Sequence, residues 1–433
     1  MKEPKLIELD GRTGEGGGQL VRMAVSLAAV LTQPIRITHV RGNRGGSRGG
    51  GLKAQHVASI AWLAKATDAD VTGLSVGSHT LEFRPRLPPS QLTAAAAHRR
   101  VSIAADSAAA STLLILQAIF PFLLFAGSDD DGPIEVDLSG GTNVAWSLSY
   151  EYLAQVLLPT LRDRFGVRAE AELRDRGWSV GTRASEPARG HVRVRVWPLR
   201  VGETLRPTTA GLGGEGGRRE VTAVDVSVVA PAHMHADLQG ALFRDLDVLF
   251  PGAGARLEVL GDSGLDCRIY VLLVARSGTL RWGRDILTSA PKKGNAKGKG
   301  KGKGGASLSD SIAGKVCKDL YEEVALGGVV DEFLQDQLVV FQALAEGETS
   351  FPRDGDGGDG WGTPRGKAGL EKPIGDLNVG ERRRKDKTHE PFGQGSTHTT
   401  TARWVAAELL PRVVWYNKGS VCQGAGVRME PAT

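Results

Sequence analysis

The sequence predicts an α/β (α+β) fold, in which a large domain of repeated α/β units carries a small inserted α/β domain. Apolar residues switch between helical spacing and strand alternation along most of the chain, and units of similar size recur roughly every 70–90 residues. The composition changes near Leu199, and the segment Thr204–Arg219 that follows is rich in Gly, Thr and Arg, which is typical of a loop. The chain has 433 residues, which is more than a single hydrophobic core needs. These observations favour two domains of unequal size.

The N-terminal half alternates strands with amphipathic helices. In the first helix, Leu20, Ala24 and Leu27 follow the helical period, whereas apolar and polar residues alternate in the strands. The predicted strands are Lys5–Leu9, Ile35–Val40, Leu81–Arg84, Ile134–Leu138 and His191–Trp197. The predicted helices are Gln19–Leu31, Leu52–Thr67, Ser107–Phe125 and Tyr150–Phe165.

The C-terminal half continues the same alternation on a smaller scale. Its predicted strands are Glu220–Val229, Ile269–Ala275 and Val413–Tyr416. Its predicted helices are Ala236–Leu249, Ser309–Ala325 and Trp404–Leu410. The first two strands and the helix between them predict the small inserted domain.

The predicted domain borders follow the changes in composition. The Lys/Gly tract Lys292–Gly304 cannot bury apolar surface and is expected to be a flexible linker. The stretch Phe351–Lys387 begins acidic and ends basic, and we expect a disordered insert there. We therefore predict a large domain from residues 1–198 and 306–433 with an insert at 352–388, a small domain at 199–291 and a linker at 292–305.

The net charge of +5 does not indicate a basic domain. The six lysines of Lys292–Gly304 more than account for it, so the remainder of the chain is close to neutral. The three cysteines are widely spaced and form no Cys-x-x-Cys pair, so neither a zinc site nor a disulfide framework is supported. The apolar run Thr112–Ala126 is shorter than the roughly 20 residues of a membrane helix, so no membrane partner is expected.

A glycine-rich segment, Asp10–Gln19, lies between the first strand and the first helix. Glycines at the start of a helix let backbone N–H groups approach a phosphate, and the helix dipole favours its negative charge. Glu15 is unusual in a pure phosphate loop, but a carboxylate there would suit a Mg²⁺ ion on the phosphates. An ordinary glycine-rich turn is the alternative, and the Walker and dinucleotide-binding patterns are both absent.

A second loop, Arg41–His56, combines three arginines with many glycines after a predicted strand. Guanidinium groups bind phosphate through paired hydrogen bonds, so this loop suits phosphate recognition. A solvated basic loop is the alternative.

Two further candidates come from the C-terminal part of the chain. His398 lies in the polar segment Ser396–Thr401 just before a predicted helix, where it could be a nucleophile, a ligand or a neighbour of the helix cap. Asp336 and Gln337 form a polar pair within the apolar stretch Val330–Leu338 and could read a base edge. A capping or surface pair is the alternative for the second candidate.

Together these segments resemble the RNA 3′-terminal phosphate cyclase family. They occur in the order seen in that family, over nearly the whole chain apart from the two low-complexity stretches. The patterns Asp-Gly-x-x-Gly-Glu-Gly-Gly-Gly-Gln and Gly-Leu-x-x-Gln-His are highly specific. The segments that carry the resemblance are Asp10–Arg22, Arg41–His56, Leu113–Gln117, Ser139–Thr142, Phe333–Leu338 and Ser396–Pro411. The family fold, a large domain of repeated α/β units with a small inserted α/β domain, agrees with the predicted organisation.

The resemblance implies an ATP-dependent enzyme that converts an RNA 3′-terminal phosphate into a 2′,3′-cyclic phosphodiester through a covalent His–AMP intermediate. The nucleophile would be His398, and Glu15 would hold Mg²⁺ (or Mn²⁺). RNA 3′ ends and ATP would be the partners. The residues implied in contacts with ATP or the phosphates are Gln117, Phe333, Leu334, Gln335, Asp336, Gln337, Arg22, Arg41, Arg44 and Gln55, with Thr401 in support.

The sequence departs from the family pattern at three places. Ser107–Ser111 lacks two glycines, Ser179–Gly190 stands where three glycines are expected, and Phe333-Leu-Gln-Asp-Gln337 replaces His-Leu-Ala-Asp-Gln. Lost glycines could narrow the backbone approach to a ligand and so reduce or alter activity.

Two other functions remain open. One is a non-catalytic, cyclase-like RNA-binding factor in ribosome biogenesis, although the resemblance implies a histidine nucleophile that such a factor lacks. The other is an enolpyruvyl-transferase-like enzyme related by fold alone, which would not explain the histidine motif. Polybasic runs favour a nuclear (nucleoplasmic) location, with the cytoplasm as the alternative.

Overall fold

The structure, a computed structural model, describes residues 4–45, 49–92, 99–107, 109–127, 132–178, 189–208, 220–264, 268–289, 307–353 and 383–430. The predicted linker at 292–305 and most of the predicted insert at 352–388 lie outside these residues. The described part is a mixed α/β architecture with four sheets, which confirms the predicted fold class. None of its helices is both long and apolar enough to cross a membrane.

The elements follow one another in α/β alternation. The strands are β1 (Ile7–Asp10), β2 (Ile35–Thr38), β3 (Asp70–Thr72), β4 (Leu81–Arg84), β5 (Arg100–Ala104), β6 (Ile134–Gly140), β7 (Arg168–Asp175), β8 (Gly190–Trp197), β9 (Ala223–Ala230), β10 (Gly254–Asp262), β11 (Arg268–Ser277), β12 (Leu280–Ser289), β13 (Glu348–Ser350), β14 (Val414–Tyr416) and β15 (Val421–Gln423). The helices are α1 (Gly18–Leu31), α2 (Ala54–Ala66), α3 (Thr112–Phe125), α4 (Tyr150–Tyr152), α5 (Leu158–Phe165), α6 (His235–Leu249), α7 (Leu308–Ala325), α8 (Glu332–Leu344) and α9 (Thr397–Leu409).

Two sheets share one topology. In the first sheet, the strand order is β1-β2-β4-β3. Strands β1 and β2 are connected by α1 and pair in parallel, whereas β4 pairs antiparallel with both β2 and β3. In the second, β5 pairs in parallel with β6 across α3, and the order β5-β6-β8-β7 is equivalent. The repeated α/β unit that the sequence spacing predicted is therefore present as two copies of one topology.

Helix α1 lies at the centre of the large core. Every residue from Gln19 to Val30 is buried, as expected for a helix that is apolar on nearly all sides. It packs against α3 and α9, and α9 packs in turn against α8. This packing brings segments far apart in sequence to the start of α1.

A second hydrophobic core lies under the sheet β10-β9-β11-β12. Helices α6 and α7 both pack on it, and α7 contributes Ile312, Val316 and Leu320. The predicted domain borders stay a prediction, but we propose to move the end of the small domain from residue 291 to beyond α7. The reason is that α7 buries its apolar face in this second core.

Helix α9 begins earlier than its apolar pattern predicts. The sequence predicted a helix over Trp404–Leu410, whereas α9 starts at Thr397. Ser396 caps it, since its Oγ accepts a hydrogen bond from the Thr399 N–H at 3.2 Å. His398 therefore lies in the first helical turn, and its predicted position in a loop before the helix is wrong.

Candidate active site

Glu15 connects the glycine-rich loop to α9. Its backbone N–H donates to Thr401 Oγ1 at 2.9 Å, and its carboxylate forms an ion pair with Arg44. The second carboxylate oxygen, Oε2, lies 3.6 Å from Nδ1 of His398. The Glu15 side chain is 5% exposed and that of His398 is 44% exposed, so a buried carboxylate lies beneath an accessible imidazole.

Close approach of the loop to α9 depends on Gly14. Its φ is +65°, and a Cβ atom there would lie 2.2 Å from Thr401 Oγ1. Both the left-handed backbone and the lack of space exclude a side chain at this position. Glycine therefore allows the loop to rest directly on the helix that carries His398.

The free oxygen of Glu15 fits a divalent cation. Oε2 is buried and accepts no hydrogen bond from the described residues, which is costly for a carboxylate unless another positive group faces it. Carboxylate oxygen is the ligand type that Mg²⁺ prefers. The described residues contain no group of three His, Cys, Asp or Glu side chains that could hold a metal ion. Phosphate and water oxygens would have to complete the coordination.

Arg22 is fixed in place by two glutamines. Its Nε donates to Gln117 Oε1 at 2.5 Å and its Nη2 to Gln19 Oε1 at 2.8 Å, while Gln117 Nε2 donates to Gln19 Oε1 at 3.1 Å. Burial lowers the pKa of Arg22 to about 10, and the negative charges of Glu15 and Asp336 oppose this shift. Arg22 therefore remains charged at neutral pH in a nearly dry setting, where it would bind an anion strongly.

The second loop adds positive charge to the same place. Nη1 of Arg41 donates to the carbonyl oxygens of Gly49 and Gly51 at 3.3 and 3.2 Å. Burial and the neighbouring Arg44 lower the pKa of Arg41, whereas Glu15 raises it. Arg22, Arg41 and Arg44 thus converge as the resemblance implies, and this density of positive charge suits a polyphosphate.

The sequence reasoning missed two residues of this site, Gln19 and His56. His56 is 2% exposed, and its Nδ1 accepts the Lys53 N–H at 3.1 Å. Its Nε2 has no hydrogen-bond partner among the described residues and lies toward Gly18, at the start of α1. Burial, Arg22 and Arg41 lower the pKa of His56 well below its usual value, so the ring is neutral and Nε2 is a free donor. Both residues end a motif quoted above, and that position was the available signal.

Asp336 on α8 faces the same site. Burial raises its pKa to about 6, and the nearby His398 and Arg22 oppose the shift. Gln337 Nε2 donates to Asp336 Oδ1 at 3.0 Å. Phe333, one turn earlier on α8, is 39% exposed, with the Arg284 guanidinium 4.8 Å from its ring centroid.

Other predicted residues of α8 and α2 have different surroundings. Leu334 belongs to the hydrophobic core, and Gln335 is buried with its Nε2 donating to the Phe351 carbonyl at 3.3 Å. Gln55 is half-buried in the first turn of α2, next to His56. The structure thus brings Asp336 to the site but turns the side chains of Leu334 and Gln335 into the protein.

Comparisons with known proteins point to a single family. The sequence model of the family described as RNA 3′-terminal phosphate cyclase matches residues 13–413. An RNA 3′-terminal phosphate cyclase of Methanosarcina mazei is 33% identical over 353 residues, which cover 80% of this chain and 89% of that protein. Proteins of the same name from Methylococcus capsulatus and Methanopyrus kandleri are 32% and 30% identical, cover 80% of this chain, and are covered over 86% and 88% of their own length.

The fold and the candidate site define an α/β protein that brings arginines, a helix N-terminus and an accessible histidine close together. With the matches above, the chain belongs to the RNA 3′-terminal phosphate cyclase family, a family of enzymes. The predicted resemblance is confirmed. These relatives come from archaea and a bacterium, so they lend no support to the predicted nuclear location.

Proposed function

We propose that this chain uses ATP to convert an RNA 3′-terminal phosphate into a 2′,3′-cyclic phosphodiester, with His398 as the nucleophile. The observation that carries the proposal is the accessible imidazole of His398, 3.6 Å from the buried carboxylate of Glu15 and beside the cluster of Arg22, Arg41 and Arg44. A nucleophile beside concentrated positive charge suits attack on a phosphate.

The reaction has three chemical steps. A ring nitrogen of His398 attacks the α-phosphorus of ATP, a P–N bond forms, and the P–O bond to pyrophosphate breaks. An oxygen of the RNA 3′-phosphate then attacks the same phosphorus and releases the histidine. Finally the adjacent 2′-hydroxyl attacks the phosphorus of the RNA phosphate, AMP leaves, and the hydroxyl proton passes to a base or to water.

The surrounding residues bind and orient the phosphates. Arg22, Arg41 and Arg44 neutralise the phosphates, the backbone N–H groups at the start of α1 donate to them, and His56 Nε2–H adds one neutral donor. Gln117 and Gln19 hold Arg22 in place. Mg²⁺ or Mn²⁺, held by Glu15 Oε2, would supply further charge neutralisation on the phosphates.

The nucleotide itself would lie against α8. Asp336 and Gln337 offer polar atoms beside His398, and Phe333 offers an aromatic ring at the same helix end. Leu334 and Gln335 support this helix from the core, because their side chains are buried. Gln55, in the first turn of α2, would contribute a polar side chain next to the phosphates.

The test is the product formed at the RNA end. A 5′-labelled RNA oligonucleotide with a 3′-phosphate, incubated with ATP and MgCl₂ or MnCl₂, should acquire an end that resists phosphatase. The same RNA with a terminal 2′-deoxyribose should not cyclise, because the attacking hydroxyl is missing. An RNA that is bound but remains fully sensitive to phosphatase would contradict the proposal and favour the non-catalytic alternative.

A further inference from the structure

An unusual tryptophan stands in the loop between β6 and α4. Trp146 is 82% exposed, more than the other large apolar residues that the structure describes. Its φ of +68° lies in the left-handed region, which is rare and strained for bulky residues. Neither burial nor backbone preference accounts for a tryptophan at this exposed position.

The loop holds Trp146 firmly because both flanks are tied to the protein. Before it, Asn143 is buried, and its Nδ2 donates to Glu151 Oε2 at 2.9 Å. After it, Ser147 Oγ lies 2.5 Å from Ser111 Oγ, and Ser149 Oγ lies 2.5 Å from the Tyr270 hydroxyl. These hydrogen bonds therefore hold the loop that carries the exposed indole in a fixed position.

One flank of the loop leads toward the phosphate-binding arginines. Ser111 caps α3, because its Oγ accepts hydrogen bonds from the Leu113 and Leu114 N–H groups. Gln117, which binds Arg22, follows six residues later on α3. Six helical residues span about 9 Å, so the Trp146 loop lies near that part of the site.

The same flank continues into α4 and contacts the start of α8, where the nucleotide would bind. The Tyr152 hydroxyl, just after the loop, donates to Asp331 Oδ1 at 2.6 Å, and Asp331 caps α8. The Tyr152 ring also packs edge-on against Phe333 at 6.4 Å. The loop of Trp146 thus bridges the elements that carry Gln117 and Asp336, on the rim of the proposed site.

We propose that Trp146 stacks on a base of the RNA near its 3′ end, an inference that rests on the proposed cyclase function. Every base has a π-face, so stacking on indole binds single-stranded RNA without reading its sequence. The adenine of ATP is the less suitable occupant, because small-molecule sites enclose most of their ligand, whereas Trp146 is almost fully exposed.

The test compares two variants at this position. Trp146→Asn removes the ring, and asparagine tolerates the left-handed backbone, so the loop should keep its fold. Trp146→Phe keeps an aromatic face. For a fluorescently labelled RNA oligonucleotide with a 3′-phosphate, we expect the Kd of Trp146→Asn to rise roughly 5- to 100-fold and that of Trp146→Phe to stay within a few fold. The KM for ATP in self-adenylylation should equal that of the wild type in both variants.

One matched control accompanies these variants, and three results would overturn the proposed role of Trp146. Tyr321→Asn removes another exposed aromatic ring on α7 and should leave the RNA Kd unchanged. Wild-type RNA affinity in Trp146→Asn would overturn the inference, as would a raised KM for ATP with unchanged RNA affinity. An equal loss in Trp146→Phe, with thermal unfolding unchanged, would also overturn it. A wild-type protein that binds RNA but forms no adenylate would defeat the proposed function, whereas the Kd comparison would still decide the role of Trp146.

Discussion

The carboxyl group of Asp285 on β12 titrates far from its ordinary range. Burial raises its pKa to about 6, assisted by the negative charges of Asp331 and Glu151, while the Tyr270 hydroxyl and Arg284 oppose the shift. Because the folded-state pKa lies above the unfolded value, the protonated form stabilises the fold. That contribution is complete below about pH 4 and is lost as the pH rises through 6.

Asp285→Asn should remove this pH dependence. The variant keeps an oxygen that accepts from Tyr270 but carries no charge. Relative to the wild type, its free energy of unfolding should increase between pH 4 and pH 8 by up to about 3 kcal/mol. Urea unfolding of both proteins across this range measures the difference, and Asp247→Asn, exposed on α6, is the control. A difference between Asp285→Asn and the wild type that does not change with pH would show that the pKa of Asp285 is not raised in the folded protein.

At the scale of elements, the alignment of α9 with the glycine-rich loop places His398 over Glu15. The Thr401 hydroxyl accepts from Glu15 N–H at 2.9 Å and donates to the Thr397 carbonyl at 2.6 Å, so it joins the loop to the helix. Thr400 provides a matched control. Its hydroxyl also donates to the Thr397 carbonyl but, within the described residues, makes no hydrogen bond to the loop.

Thr401→Val should slow self-adenylylation by about tenfold, whereas Thr400→Val should leave it near the wild-type rate. The valine leaves the Glu15 N–H without its acceptor, which costs on the order of 1–3 kcal/mol and loosens the loop. Rates of labelling by α-labelled ATP measure the effect. Equal rates in the two variants would mean that the hydrogen bond does not position the site.

The start of α9 also shows where sequence patterns fail. The polar residues Thr397–Thr401 carry no apolar period, so the pattern began only at Trp404. The cap at Ser396 was the physical signal for the true start. Short strands such as β3 and β13 were missed for a related reason, since three residues cannot show alternation.

At the scale of the whole molecule, the repeated α/β units were predictable from spacing, because buried strands and helices alternate regularly. The equivalent topology of the two sheets was not predictable from the sequence, because topology depends on pairing between distant strands. The family resemblance supplied the candidate site as a set of residues, whose roles stay a prediction. Its internal contacts were not predictable, since Glu15 and Thr401 are 386 residues apart. Leu334 and Gln335 illustrate the limit, because a motif does not indicate which of its side chains face the core.

Covalent labelling by ATP tests the central claim most directly. Protein incubated with α-labelled ATP and MgCl₂ should form a covalent adenylate that is labile in acid and stable in alkali. His398→Ala should abolish this label, while His389→Ala, which removes an exposed histidine nearby in sequence, should retain it. Full labelling of His398→Ala would contradict the assignment of His398 as the nucleophile.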